Sequence, residues 1–125
     1  MRATRELLIV TAWLEALTGV ALLASPRVPA SLLLGATLDS SGLVLARVAG
    51  AALLSLGLAC WLVRHDGASR AGRAVVSAML AYNLAVVAVF LHASLALGVA
   101  GLLLWPAACA HTALAAWCAT CLRPA

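Results

Sequence analysis

Four polar side chains stand inside otherwise apolar stretches of this sequence: Glu15 in TAWLEALTG, Arg47 in LARVAG, Asn83 in AYNLAVV and His111 in PAACAHTAL. Glutamate and histidine are the two whose proton affinity burial and a partner can bring toward neutrality. Arginine attracts an anion or holds a carboxylate, and an asparagine and a histidine on different helices can share a hydrogen bond. Together they make a candidate site for a ligand or a proton.

In a bilayer such residues are costly. A charged side chain at the membrane centre costs about 2.5–3.5 kcal/mol on the lenient insertion scale, so it faces the bundle interior and pairs. Glu15 is therefore expected to be compensated by Arg47 or by a protonated His111, or to be itself protonated in an apolar site. Thr11, Glu15, Thr18 and Gly19 share one helical face by their three- and four-residue spacing, which gives a polar stripe. Tyr82 lies about 100° from Asn83 around its helix and His92 about 180°, so the three do not all enter one pocket. His92 is expected at the membrane interface or between copies. Thr11, Thr18, Tyr82 and Cys118 are secondary candidates.

Cys60, Cys109, Cys118 and Cys121 raise metal or thiol chemistry, and CATC has the C-x-x-C form. Cys118 shares the His111 stripe seven residues on, whereas Cys109 points about 160° away from it. Cys118 and Cys121 fall at the end assigned to the reducing cytoplasm, where structural disulfides are rare. Small buried hydrophobes are the favoured account of these thiols, with no metal site and no cofactor expected. The chain carries no Ser-His-Asp order, HExxH, phosphate loop or dinucleotide fingerprint.

The elements that position these residues follow from composition. Of 125 residues, 66% are hydrophobic and 10% charged, against roughly 45–50% apolar in soluble domains. Apolar runs over 7–24, 43–63, 74–97 and 99–122 each approach the ~20 residues that cross a hydrocarbon core. The expected fold is all-α, a single membrane domain of four transmembrane helices. Counting inward at about 1.5 Å per residue, Glu15, Asn83 and His111 all fall near ~13–18 Å, the midplane, with Arg47 roughly 8 Å nearer the outer side.

Arg2, Arg5, Arg64, Arg70, Arg73 and Arg123 mark one side, and Arg27 is the only basic residue in a loop on the other. Positive residues stay cytoplasmic, so both termini are expected inside a bacterial-type inner membrane. The net charge of +4 reflects that bias and contact with anionic headgroups rather than nucleic acid. Arg2, Arg5 and ALLASP also give the first run the look of a secretory signal peptide. A charge inside the apolar region and the lack of an A-x-A site favour a retained helix.

Loop 25–41 opens with two prolines and closes in DSSG, where Asp39, Ser40 or Ser41 can cap the second long helix. Its SLLLG segment is too short to span and is expected at the outer interface or as a short lid. The uncharged turn LALGVAG makes the last two runs an antiparallel hairpin, and LLLWPA reads as an interfacial Trp105 with a kink at Pro106. Ala46 with Gly50, Ala51 with Ser55, and Ala108 with Thr112 and Ala116 recur at helical spacing. Such stripes pack bundles or copies of the chain, and a homo-oligomer is expected.

LARVAGAALLSLGLACW, AYN and LWPAACAH give nearly the whole chain a resemblance to the small four-helix bacterial membrane proteins grouped as DoxX-like. That resemblance implies a four-helix bundle with an accessory or redox-linked membrane role and transfers no catalytic residue. LEALTG is similar to the glutamate-bearing first helix of small multidrug resistance exporters. That likeness implies proton exchange at Glu15 against a cationic substrate within a dimer. Arg47 close to a cation site and the missing aromatic-glycine motif in YNLAVVAVF depart from that pattern. The leading expectation is binding or passage of a small molecule or ion at Glu15, Arg47, Asn83 and His111. The rivals are an accessory subunit and a membrane enzyme acting on a lipid, quinone or thiol.

Overall fold

Two side-chain caps fix where the longest helices begin. The Asp39 carboxylate accepts the amide of Gly42 at 2.7 Å, and the Ser69 hydroxyl accepts that of Gly72 at 3.0 Å. Each cap satisfies an amide that would otherwise lack a partner. The computed structural model describes residues 2–123. They form α1 (Arg2–Ala24), α2 (Arg27–Leu34), α3 (Ser40–Val63), α4 (Arg70–Leu97) and α5 (Leu104–Leu122), with no strand among the described residues. The caps start α3 and α4 several residues before their apolar runs.

α1, α3 and α4 are long and apolar enough to cross a membrane. Their surfaces agree with that reading, since Trp13, Leu17, Val44, Leu45, Leu62, Val89 and Leu95 all point outward. Apolar side chains on the outside suit lipid and do not suit water. α5 is shorter and is diluted by Pro106, His111, Thr112 and Thr120.

α1 packs along α3, and α4 along α5, while the two pairs touch each other more sparingly. The first pair is unusually close. A Cβ added at Gly19 would stand 2.7 Å from the Gly50 carbonyl oxygen, and one at Gly57 would stand 2.8 Å from that of Ala12. Here backbone meets backbone, as small residues permit in membrane helices. Gly50 and Ala108, from the expected small-residue stripes, are thus buried within one copy of the chain. The second pair turns at Gly98, whose φ of 68° ends α4 in the left-handed region that favours glycine.

α5 consequently begins at Leu104, five residues after the start of its apolar run. Pro106 falls in the first turn, where its missing amide costs no helical hydrogen bond. The expected kink at LLLWPA is absent: proline opens the helix instead of bending it. α2, the short segment of the first loop, is tied to the other hairpin by the Leu103 amide donating to the Leu32 carbonyl at 2.8 Å.

The bundle has a packed half and a hollow half. Leu7, Leu8, Cys60, Val76, Met79 and Cys118 close the end that holds the α3–α4 loop. Toward α2 the pairs diverge and leave a cavity. Among the described residues Thr11, Glu15 and Asn83 are the buried polar ones, and Glu15 and Asn83 sit behind Tyr82 and His111, which line the cavity.

Candidate functional site

The site begins with Asn83, which is wholly buried. Its Nδ2 donates to the Met79 carbonyl at 2.7 Å, one helical turn back. Its Oδ1 stands 2.7 Å from His111 Nδ1 on α5. Because the amide nitrogen is already committed to Met79, Oδ1 is an acceptor and Nδ1 carries the proton. His111 Nε2 is left as the acceptor, on a ring that lines the cavity. Two aromatic rings hold that ring edge to face, Tyr82 with centroids 5.7 Å apart and Phe90 with 6.0 Å.

Glu15 is 4% exposed and comes from α1 on the opposite side. The Tyr82 hydroxyl donates to its Oε2 at 3.5 Å, the long limit for such a bond. Tyr82 therefore touches Glu15 through its hydroxyl and His111 through its ring, and joins the two ionisable groups. Sequence periodicity separated Tyr82 from Asn83 by about 100°, and that angle is what lets Asn83 back His111 while Tyr82 faces the cavity.

Arg47 does not reach this group. It is exposed, and its Nε donates to the Leu23 carbonyl at 3.4 Å, near the end of α1. The side chain beside Glu15 is the Tyr82 phenol, and not Arg47. Arginine's long stem lets its head leave the apolar layer for the nearest carbonyl at a helix terminus. His92 is exposed and apart from the site.

The cavity measures about 800 Å³ and is bounded by all five helices. Thr18, Tyr82 and His111 supply its polar atoms, and most of the remaining wall is aliphatic. α2 contributes Pro29 and Leu33 at one end. Between α3 and α4 the wall is thin: Ala49, Ala52, Ala85 and Val89 line the cavity and are themselves exposed. That side opens laterally, toward lipid if these helices span. A mostly apolar cavity with a few convergent polar groups is the usual form of a small-molecule site.

Thr11, on the Glu15 face, is 1% exposed, and its hydroxyl has no hydrogen-bond partner among the described residues. Thr11→Val is therefore expected to leave stability unchanged or raise it by up to about 1 kcal/mol, since an unpartnered buried hydroxyl is replaced by an isosteric methyl. Asn83→Leu is expected to cost about 1–3 kcal/mol, because His111 Nδ1 loses its acceptor. Thermal unfolding of both variants in one detergent compares them. Equal melting temperatures would remove the structural weight given to the Asn83–His111 bond.

Cys60 and Cys118 are buried in the packed half, Cys121 is half-buried and Cys109 exposed, all as free thiols. Among the described residues no three His, Cys, Asp or Glu side chains converge as ligands to a metal would. In comparisons with known proteins, no family model, curated protein or solved structure matches the chain.

Proposed function

We propose that this protein is a four-span membrane protein with both termini on the cytoplasmic side, α5 being the fourth span. In this reading it binds a lipophilic small molecule that carries one hydrogen-bonding group. The observation that carries the proposal is the lateral cavity of about 800 Å³, mostly aliphatic, with Tyr82 and His111 meeting in its wall and Thr18 as its other polar side chain. An occupant enters between α3 and α4, lays its apolar part along the alanine and valine wall, and donates a hydrogen bond to His111 Nε2. Tyr82 links the occupant's polar end to Glu15. Asn83 holds the imidazole tautomer. Glu15 and His111 are the groups able to exchange a proton as the ligand arrives or leaves, which makes proton-linked passage the natural extension of binding.

Arg47 has no part in the binding step in this account. Association between copies uses small residues that stay exposed, Ala51 and Ser55 on α3. Native mass spectrometry of the purified protein, beside Glu15→Gln and His111→Leu, tests the reading. A small-molecule adduct retained by the wild type, lost in His111→Leu and weakened in Glu15→Gln, is the expected result, and the same spectra count subunits. Identical spectra for the three proteins would shift the polar group to a structural role.

A further inference from the structure

At the packed end of the bundle, opposite the lateral cavity, a second cavity of about 500 Å³ opens to the surface. The first turn of α1, the α3–α4 loop, the start of α4 and the residue after α5 all meet there. Arg2, Arg5, Arg64, Arg73 and Arg123 line it, with Asp66 as the single carboxylate in its wall among the described residues. Five of the chain's eight cationic residues, all of them arginine, thus share one concave site.

The arrangement exceeds what a loop charge bias alone requires. Placing positive charge on one side of a membrane calls for arginines near the helix ends and not for their convergence on a cavity. Two of the five are held in place by the fold. Arg64 lies 3.9 Å over the Trp61 ring and donates to the Trp61 carbonyl, and Arg73 Nη2 donates to the Leu122 carbonyl at 3.1 Å. Both retain further N–H groups, because a guanidinium carries five. Pre-positioned guanidinium forks match the oxygens of phosphate, and neighbouring arginines reinforce one another toward a ligand with more than one negative charge.

We propose that this cavity binds a phosphate group, with Arg5, Arg64 and Arg73 as its principal donors. Its size admits more than one phosphate or a phosphate with its substituent. The same chemistry is offered by the headgroup of an anionic phospholipid, since the cavity lies at the end of the spans, and by a soluble polyphosphate. Basic pockets between helix ends on the cytoplasmic side are known to take such headgroups. The inference is independent of the lateral cavity and of what that cavity binds.

The test uses the full chain in phosphatidylcholine nanodiscs, with phosphatidylglycerol added in one arm and pyrophosphate in the other. Retained lipid is read by native mass spectrometry and pyrophosphate affinity by titration. Saturable binding in at least one arm is expected, weakened about ten-fold to a hundred-fold in the double variant Arg5→Gln/Arg73→Gln. The charge-matched double variant Arg27→Gln/Arg70→Gln, outside the cavity, is expected to bind as the wild type does. Binding in the phosphatidylglycerol arm alone assigns the lipid headgroup, and binding in the pyrophosphate arm alone a soluble ligand. No saturable binding in either arm, or equal weakening in both double variants, would overturn the proposal. Should Arg5→Gln/Arg73→Gln fail to fold, arginine labelling of the wild type with phenylglyoxal decides. Protection of Arg5, Arg64 and Arg73 by the bound probe, with Arg27 and Arg70 unprotected, supports the site, and uniform labelling refutes it.

Discussion

Gly57→Leu is expected to yield no folded protein in detergent extracts. The reason is local and geometric. The first atom of any side chain at Gly57 stands 2.8 Å from the Ala12 carbonyl oxygen and 3.0 Å from the Ala16 amide nitrogen. Both are backbone atoms of α1, so no side chain can swing aside and the helix axes must separate. Separation loosens the Gly19–Gly50 contact further along the same pair and reopens the core around Cys60 and Leu8. Overpacking that only moves side chains costs about 1–3 kcal/mol, and a clash between two backbones belongs at or above that range. Gly98→Ala is the control. It carries the strain of a left-handed φ, roughly 1–2 kcal/mol, but a Cβ there meets nothing within 4 Å. Size-exclusion chromatography separates the cases, with Gly98→Ala monodisperse and Gly57→Leu aggregated; a monodisperse Gly57→Leu with wild-type melting would refute the close packing of α1 on α3.

Ala85→Phe, by contrast, is expected to leave the protein folded and to abolish the proposed ligand binding. Ala85 is exposed on α4 and lines the lateral cavity where its wall is thinnest. A phenyl ring there fills the entrance without meeting the packed core. An apolar occupant excluded from the wall loses about 0.8 kcal/mol for each methylene no longer buried. Displacing four or so methylenes therefore weakens binding by more than about a hundred-fold. Unchanged thermal stability with lost binding is the expected pair of results. Retained affinity in a stable Ala85→Phe protein would mean that ligands enter elsewhere.

Several features of this fold are legible in the sequence because they depend on local chemistry or on depth. Asp39 in DSSG caps α3, and Gly98 in LALGVAG turns the second hairpin, because each residue satisfies its own neighbouring backbone. Counting residues along the helices places Asn83 and His111 at one level, and their side chains meet at 2.7 Å. What residue counting lacks is the rotation of one helix about its neighbour. The sequence leaves Arg47 free to snorkel outward or to reach down and pair with Glu15, and α3 turns it outward to the Leu23 carbonyl. Tyr82, a secondary candidate because it sits off the Asn83 face, is the link to Glu15, since α4 borders both the packed half and the cavity. Pro106 reads as a kink in the sequence, but the left-handed turn at Gly98 delays α5 to Leu104 and leaves the proline in its first turn. The cavity itself has no local signal in the sequence. It arises from the divergence of two helix pairs, and only the alanines at 49, 52 and 85 hint at a thin wall.

The most direct test of the account is to photolyse the protein in bilayers with a fatty alcohol bearing a diazirine near its hydroxyl and to map the adducts by mass spectrometry. The account predicts adducts at Tyr82, Phe90 and His111, lost in Ala85→Phe and displaced by excess unlabelled alcohol. Adducts confined to outward-facing residues such as Trp13, Leu45 and Leu95, with none at Tyr82 or His111, would contradict it.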